Sequence, residues 1–240
     1  MDTTRFNETP FTTDRPGASD ATWRESLTTV PEWMPQSRTL AVVAPHPDDE
    51  TLGAGGLIYT CADLGYEITI ILVTDGEAAC PEQSHLAEQR FEELRRALMR
   101  IAPDGAHVVR LRFPDGQVAA SEHKLARKLL SVVPLDCTLV APYEQDGHTD
   151  HAAASRACQV AARKLGVPCV RYPIWAWHRL APGDLDPKAM GRLALTDAAQ
   201  EAKRNAIGCY RSQLEARPGG AVVPPHVLAY FDRPYEVFLL

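Results

Sequence analysis

Histidine and carboxylate residues are concentrated in two short segments of the sequence. The first is PHPDDE at residues 45–50, and the second is GHTDH at residues 147–151. Imidazole and carboxylate groups are the ligands that proteins use for zinc, and they also serve as general acids and bases. His46 and Asp49 are three residues apart, as are His148 and His151, so each pair can turn towards one point. If the fold brings the two segments together, they predict one metal site.

Each of these residues taken alone has a simpler explanation. Asp48 or Asp49 would also serve as the N-cap of a following helix. The spacing alone does not show which of the two is a metal ligand. However, burying several carboxylates and imidazoles together is costly unless a cation or protons compensate their charge. We therefore favour a shared metal site over separate caps.

The elements that must position these residues alternate between short apolar segments and helical segments. The predicted strands are TLAVVAP, EITIILVT, HVVRLRF, CTLVAP and PCVRYPIW, which begin at residues 39, 67, 107, 137 and 168. The predicted helices lie at about 52–64, 82–101, 121–132, 152–165 and 198–215, and YEVFLL forms a closing strand. This alternation predicts a single α/β domain, a Rossmann-like three-layer sandwich with a mainly parallel sheet. In the common strand order 3-2-1-4-5, PHPDDE and GHTDH follow two neighbouring strands, at the edge of the sheet where such folds bind their ligands.

Composition limits the classes of protein and partner. The chain has 240 residues and a net charge of −6, so we expect no nucleic-acid partner. No apolar stretch approaches the roughly 18 residues of a membrane span, and the N-terminus lacks a signal-peptide core. With six singly spaced, reduced cysteines, these features predict a cytoplasmic protein without membrane insertion. We place the domain at 38–240, after a polar extension at 1–37 that packs on the domain or trails it. The sequence allows a homo-oligomer but does not predict one.

A glycine-rich segment offers an alternative function. GAGG at residues 53–56 would suit a nucleotide-binding or S-adenosylmethionine-binding module without hydrolytic activity. A phosphate-binding glycine motif belongs in the tight turn directly after the strand, whereas PHPDDE intervenes here. We therefore expect these glycines to let the helix pack close to the sheet.

Together, AVVAPHPDDETLGAGG and HTDH resemble the signatures of the LmbE-like (PIG-L) family of zinc-dependent N-acetylglucosaminyl deacetylases, which includes enzymes of mycothiol and bacillithiol biosynthesis. Weaker matches at VTDGE, RFEEL, FPDG and YRSQL extend the resemblance over about residues 39–215. The resemblance implies a hydrolase that removes an acetyl group from an N-acetylglucosamine-type conjugate, a small molecule. The alternative within this chemistry is an amidase for another N-acyl or amide-linked small molecule.

The resemblance also implies roles for individual residues. The implied metal ligands are His46, Asp49 and His151. They would hold Zn²⁺, with Fe²⁺ as an alternative for these ligand types. The implied catalytic residues are Asp48 as general base, His148 as oxyanion stabiliser or acid, and Asp150 as the residue that holds the His148 ring. The implied substrate contacts are Arg90, Asp115 and Glu77.

One position departs from the family pattern. Mycothiol-pathway members carry a tyrosine, linked to acid catalysis, two residues before the first histidine of the second segment. Asp146 stands at that position here. The general acid is therefore open between Asp48, after it has taken a proton, and His148.

Overall fold

A computed structural model describes residues 17–80, 82–215 and 221–240, which form a mostly parallel sheet covered by helices on both faces. The strands are β1 (Thr39–Ala44), β2 (Glu67–Thr74), β3 (His107–Phe113), β4 (Cys137–Pro142), β5 (Cys169–Tyr172), β6 (Met190–Ala194) and β7 (Tyr235–Leu239). Their order is β3-β2-β1-β4-β5-β7-β6, and the first five run parallel. This confirms the predicted Rossmann-like sandwich and its central order. The sheet also continues beyond β5 as an antiparallel pair, in which β6 was not predicted.

The predicted helices are present, with shifted bounds. The helices are α1 (Asp20–Ser26), α2 (Asp49–Asp63), α3 (Leu86–Ile101), α4 (Glu122–Val132), α5 (Thr149–Leu165), α6 (Ala176–Arg179), α7 (Asp197–Ile207), α8 (Arg211–Leu214) and α9 (Pro225–Leu228). The predicted helix at 198–215 is divided, because the chain turns at 208–210 between α7 and α8. Across the described ranges, no helix combines the length and apolarity needed to cross a membrane.

Strand β1 is buried on both of its faces. Leu40, Val42 and Ala44 pack into the core on one side of the sheet. Ala41 and Val43 pack into the core on the other side. A strand buried on both faces needs an uninterrupted apolar sequence, which explains the pattern of TLAVVAP. The residues that follow β1 are thereby fixed at the carboxyl edge of a rigid sheet.

The glycines of α2 allow close packing, as predicted. A Cβ on Gly53 would lie 2.2 Å from the ring of Tyr172 on β5, and a Cβ on Gly56 would lie 2.5 Å from Leu195. The Tyr172 hydroxyl donates to the Val43 carbonyl at 2.7 Å, so the ring has a fixed position under α2. Gly53 thus brings the start of α2 against the centre of the sheet.

The described part of the N-terminal extension packs on the domain. Ser19 caps α1 by accepting from the Thr22 N–H. Trp23 is fully buried, and its Nε1 donates to the Trp177 carbonyl at 2.8 Å. The two indole rings meet edge to face at 4.9 Å. Residues 1–16 of the predicted extension lie outside the described residues.

Candidate metal centre

The PHPDDE and GHTDH segments meet at the carboxyl edge of the sheet, between β1 and β4. These strands pair in parallel, so the loop after β1 faces the loop that enters α5. The ring centroids of His46 and His148 are 4.8 Å apart, those of His148 and His151 are 4.9 Å apart, and those of His46 and His151 are 5.4 Å apart. The fold therefore brings the two segments into one site.

Asp49 lies between two of these histidines. Its Oδ2 is 3.2 Å from His46 Nδ1 and 3.2 Å from His151 Nε2. His151 is fully buried, and among the described residues its Nε2 has no partner in hydrogen-bonding geometry. A buried ring nitrogen without such a partner calls for an explanation. Two imidazole nitrogens and one carboxylate oxygen form a donor set that suits zinc, so the site fits a metal ion.

The opposite nitrogen of His46 faces two other carboxylates. His46 Nε2 lies 3.1 Å from Asp115 Oδ1 and 3.5 Å from Asp150 Oδ2. A carboxylate on the far nitrogen of a metal-binding histidine orients the ring and sets its tautomer. Asp115 is thus placed to orient His46, while its implied contact with substrate stays a prediction. Two candidate ligand groups share His46: His46 with His148 and His151, and His46 with Asp115 and Asp150.

The charged groups in the site shift one another's pKa values. Burial disfavours the Asp49 carboxylate, but His151 and His46 outweigh it and hold the pKa of Asp49 well below its usual range. Burial likewise opposes protonation of His151, yet the negative charge of Asp49 and the hydrogen bond to Asp146 raise its pKa to about 9. Burial also opposes protonation of His46, but Asp115, Asp150 and Asp49 hold its pKa well above its usual range. The carboxylates thus favour the protonated form of both rings. A divalent cation would replace those protons on binding.

Asp48 occupies a strained position at the start of α2. Its φ is 131° and it makes no side-chain capping bond, so the capping explanation does not hold. The residue is 6% exposed, and its Oδ1 lies 3.5 Å from Arg90 Nη2. Burial raises the pKa of Asp48 to about 8; Arg90 opposes this shift and the charge of Asp49 adds to it. A carboxylate with a pKa near neutrality suits a general base.

Arg90 and Glu77 support the loops around the site. Arg90 is buried, and it donates to the Pro47 carbonyl at 2.9 Å and to the Gly76 carbonyl at 3.0 Å. A Cβ on Gly76, whose φ is 68°, would lie 2.2 Å from the Arg90 guanidinium. Glu77 accepts from the Asp115 N–H at 3.0 Å. These contacts place both residues in the framework of the site, and their implied contacts with substrate stay predictions.

His148 is the N-cap of α5. Its Nδ1 accepts from the Asp150 N–H at 3.2 Å, so the neutral ring carries its proton on Nε2. Burial, together with the positive charges of His151 and His46, lowers the pKa of His148 to about 3. The Asp150 carboxylate accepts from the Gly116 N–H at 2.7 Å and from the Val118 N–H at 3.1 Å. Its implied role of holding the His148 ring stays a prediction.

Sequence analysis missed a second buried cluster beneath Asp48. Glu50 is fully buried, its Oε2 accepts from the Asp48 N–H at 3.2 Å, and the Tyr210 hydroxyl donates to its Oε1. Thr51 also donates to Glu50, at 2.6 Å. Glu50 belongs to PHPDDE and Tyr210 to YRSQL, so both lie inside segments that carry the family resemblance. Their pairing depends on the turn between α7 and α8, which the sequence did not predict.

Fold and site together define an α/β protein with a candidate mononuclear metal centre at its topological switch point. The profile of the PIG-L family, described as GlcNAc-PI de-N-acetylase, matches residues 41–162, about half of the chain, and the chain belongs to this family. This confirms the resemblance noted in the sequence.

Individual relatives agree with the family. The 1D-myo-inositol 2-acetamido-2-deoxy-alpha-D-glucopyranoside deacetylase of Tsukamurella paurometabola is 36% identical over 193 residues, which cover 62% of this chain and 65% of that protein. The diacetylchitobiose deacetylase of Thermococcus kodakarensis is 27% identical over 52% of this chain and 49% of that protein. The chain thus spans about half to two thirds of the length of these curated relatives. The crystal structure of a conserved protein from Thermus thermophilus is similar, with a TM-score of 0.62, 26% identity and coverage of 85% of this chain and 94% of that one.

Proposed function

We propose that the protein is a metal-dependent deacetylase that hydrolyses the N-acetyl group of an N-acetylglucosamine-type conjugate, with Zn²⁺ as the metal. The observation that carries the proposal is the convergence of His46 Nδ1, Asp49 Oδ2 and His151 Nε2 beside the buried Asp48. The names of the curated relatives support the substrate class, since one deacetylates a 2-acetamido-2-deoxy-glucopyranoside and the other diacetylchitobiose.

Asp48 supplies the base. A divalent metal bound to His46, Asp49 and His151 would polarise the amide carbonyl and lower the pKa of a water molecule towards about 7. The Asp48 carboxylate takes a proton from the attacking water, and Arg90 lies near enough to hold it in place. General acid–base assistance of this kind contributes about 10²- to 10⁴-fold in rate.

His148 donates to the oxyanion of the tetrahedral intermediate. With Nδ1 accepting from the Asp150 N–H, Nε2 carries the proton of the neutral ring. Burial lowers the pKa of His148, so the ring donates this hydrogen bond as a neutral group. The proton that Asp48 has taken then passes to the departing amine. Asp48 therefore serves first as the general base and then as the general acid, the role that has been linked in relatives to a tyrosine, which Asp146 replaces here.

Acetate release tests this function. Purified protein is incubated with a panel of N-acetylhexosamine conjugates, with and without a chelator, and acetate and free amine are measured. We expect equal amounts of both products from at least one N-acetylglucosamine conjugate, loss of activity with chelator, and recovery on adding Zn²⁺ or Fe²⁺. Activity that survives complete removal of metal, or the absence of acetate from the whole panel, would refute the proposal.

A further inference from the structure

Asp146 is a fully buried carboxylate whose two oxygens are both in use. Oδ1 accepts from the Ile174 N–H at 2.8 Å and from the Ala176 N–H at 2.8 Å. Oδ2 accepts from the Trp175 N–H at 3.1 Å and lies 2.7 Å from His151 Nδ1. One side chain thus holds both the entry to α6 and a histidine of the candidate metal centre.

These contacts fix the direction of the bond to His151. Both oxygens of Asp146 already accept from backbone N–H groups, so the carboxylate acts as an acceptor towards the ring as well. Nδ1 of His151 is therefore the donor, and the lone pair of the neutral ring lies on Nε2. That nitrogen faces Asp49 at 3.2 Å.

The position does not suit an acid that protonates a leaving group. Asp146 has no exposed surface, and it lies on the far side of the His151 ring from Asp49, since it contacts Nδ1 and not Nε2. A general acid must come within hydrogen-bond reach of the departing amine. Asp146 reaches the site only through His151.

We propose that Asp146 is a positioning residue that fixes the tautomer of His151, presenting Nε2 for metal binding, while it anchors the backbone at 174–176. The proposal rests on the metal centre of the proposed function. Partners of this kind behind a metal ligand typically change metal affinity by about 10- to 100-fold when they are mutated.

Two substitutions separate the tautomer from the anchor. In Asp146→Asn, the Ile174 and Ala176 N–H groups hold the amide oxygen, so the amide NH₂ faces His151 and donates to Nδ1. The Trp175 N–H loses its acceptor, so two of the three anchoring hydrogen bonds remain. The proton of the neutral ring then lies on Nε2, which weakens metal binding because the metal must displace it. In Asp146→Ala the anchor is lost, but either tautomer of His151 is accessible.

The experiment measures zinc affinity by competition with a chromophoric chelator, and melting of the metal-free proteins by circular dichroism. We expect Asp146→Asn to melt above Asp146→Ala and yet to bind zinc more weakly, at about 10- to 100-fold below wild type. A residue with only a structural role gives the opposite order, in which zinc affinity follows melting temperature. That order, or wild-type affinity in Asp146→Asn, would overturn the proposal.

A matched control is Asp184→Asn. Asp184 is exposed, and its carboxylate likewise accepts a backbone N–H, that of Ala181 at 2.7 Å. We expect wild-type zinc affinity in this variant, and a loss comparable to that of Asp146→Asn would overturn the assignment. If wild-type protein itself binds no zinc, the proposed metal centre fails; if only Asp146→Asn is unchanged, the role of Asp146 alone fails.

Discussion

Trp23 joins the N-terminal extension to α6, the helix whose entry Asp146 anchors, and its removal tests whether the extension is part of the folded domain. The indole is fully buried, it donates to the Trp177 carbonyl, and it contacts the Trp177 ring edge to face. Truncation of a buried aromatic residue to alanine costs about 3–5 kcal/mol. Trp23→Ala should therefore lose most of the stability that α1 contributes.

Trp23→Phe separates the hydrogen bond from the packing. A phenylalanine ring keeps most of the apolar contact but leaves the buried Trp177 carbonyl without its donor, at a cost of about 1–3 kcal/mol. Since 1 kcal/mol corresponds to roughly 2–4 °C in a chain of this size, we expect losses of about 6–20 °C for the alanine variant and about 2–12 °C for the phenylalanine variant.

Differential scanning calorimetry and urea unfolding measure both effects. Met99→Ala is the control, because Met99 is 71% exposed and its removal should change stability by no more than about 0.5 kcal/mol. If Trp23→Ala melts as Met99→Ala does, α1 contributes nothing to the fold, and the burial of Trp23 does not describe the protein in solution.

Four further substitutions test three separate features of the protein. Asp48→Ala should keep zinc and lose about 10²- to 10⁴-fold in turnover, whereas His151→Ala should lose zinc, as metal analysis and acetate release would show. Asp20→Asn should lower the melting temperature at pH 7 and lower it progressively less towards pH 3. Burial opposes ionisation of Asp20, but Arg24 and Arg233 outweigh it and keep its pKa low, so its stabilisation is lost as pH falls. Gly53→Ala should cost about 1–3 kcal/mol in urea unfolding, because its Cβ meets the Tyr172 ring.

Each of these predictions has a contrary result, and those for Asp20 and Gly53 also have a matched control variant. Near-normal turnover in Asp48→Ala would contradict the assignment of Asp48 as the general base. For Asp20→Asn the control is Asp104→Asn, an exposed position, and a pH-independent loss would contradict the linkage. For Gly53→Ala the control is Gly55→Ala, whose Cβ would lie 3.2 Å from its nearest neighbour, the Lys203 side chain, compared with 2.2 Å at Gly53. Equal stability of the two glycine variants would contradict close packing of α2 on the sheet.

The sequence predicted the elements whose pattern is local and regular. β1 is apolar because both its faces are buried, and α3 has apolar positions at helical spacing, so both were found. Strand β6 was missed because its five residues lie in a mixed polar segment and pair with residues far away in the sequence, those of β7 and Glu32, which no local pattern reveals. Helix α1 was missed although Ser19 provided a capping signal.

For the site, the sequence revealed which residues are present but not which atoms face one another. The convergence of PHPDDE and GHTDH followed from the order of parallel strands. The contacts of the two His46 ring nitrogens, Nδ1 with Asp49 and Nε2 with Asp115, depend on side-chain orientation. The bond between Asp146 and His151 depends on how the segment after β5 returns to the site.

The most direct test of the metal centre is an anomalous difference map collected at the zinc edge from crystals of zinc-loaded protein. We expect a single peak about 2.0–2.2 Å from His46 Nδ1, Asp49 Oδ2 and His151 Nε2, the usual distances for zinc. A peak beside His46 Nε2, between Asp115 and Asp150, or no peak at all, would contradict the proposed metal centre.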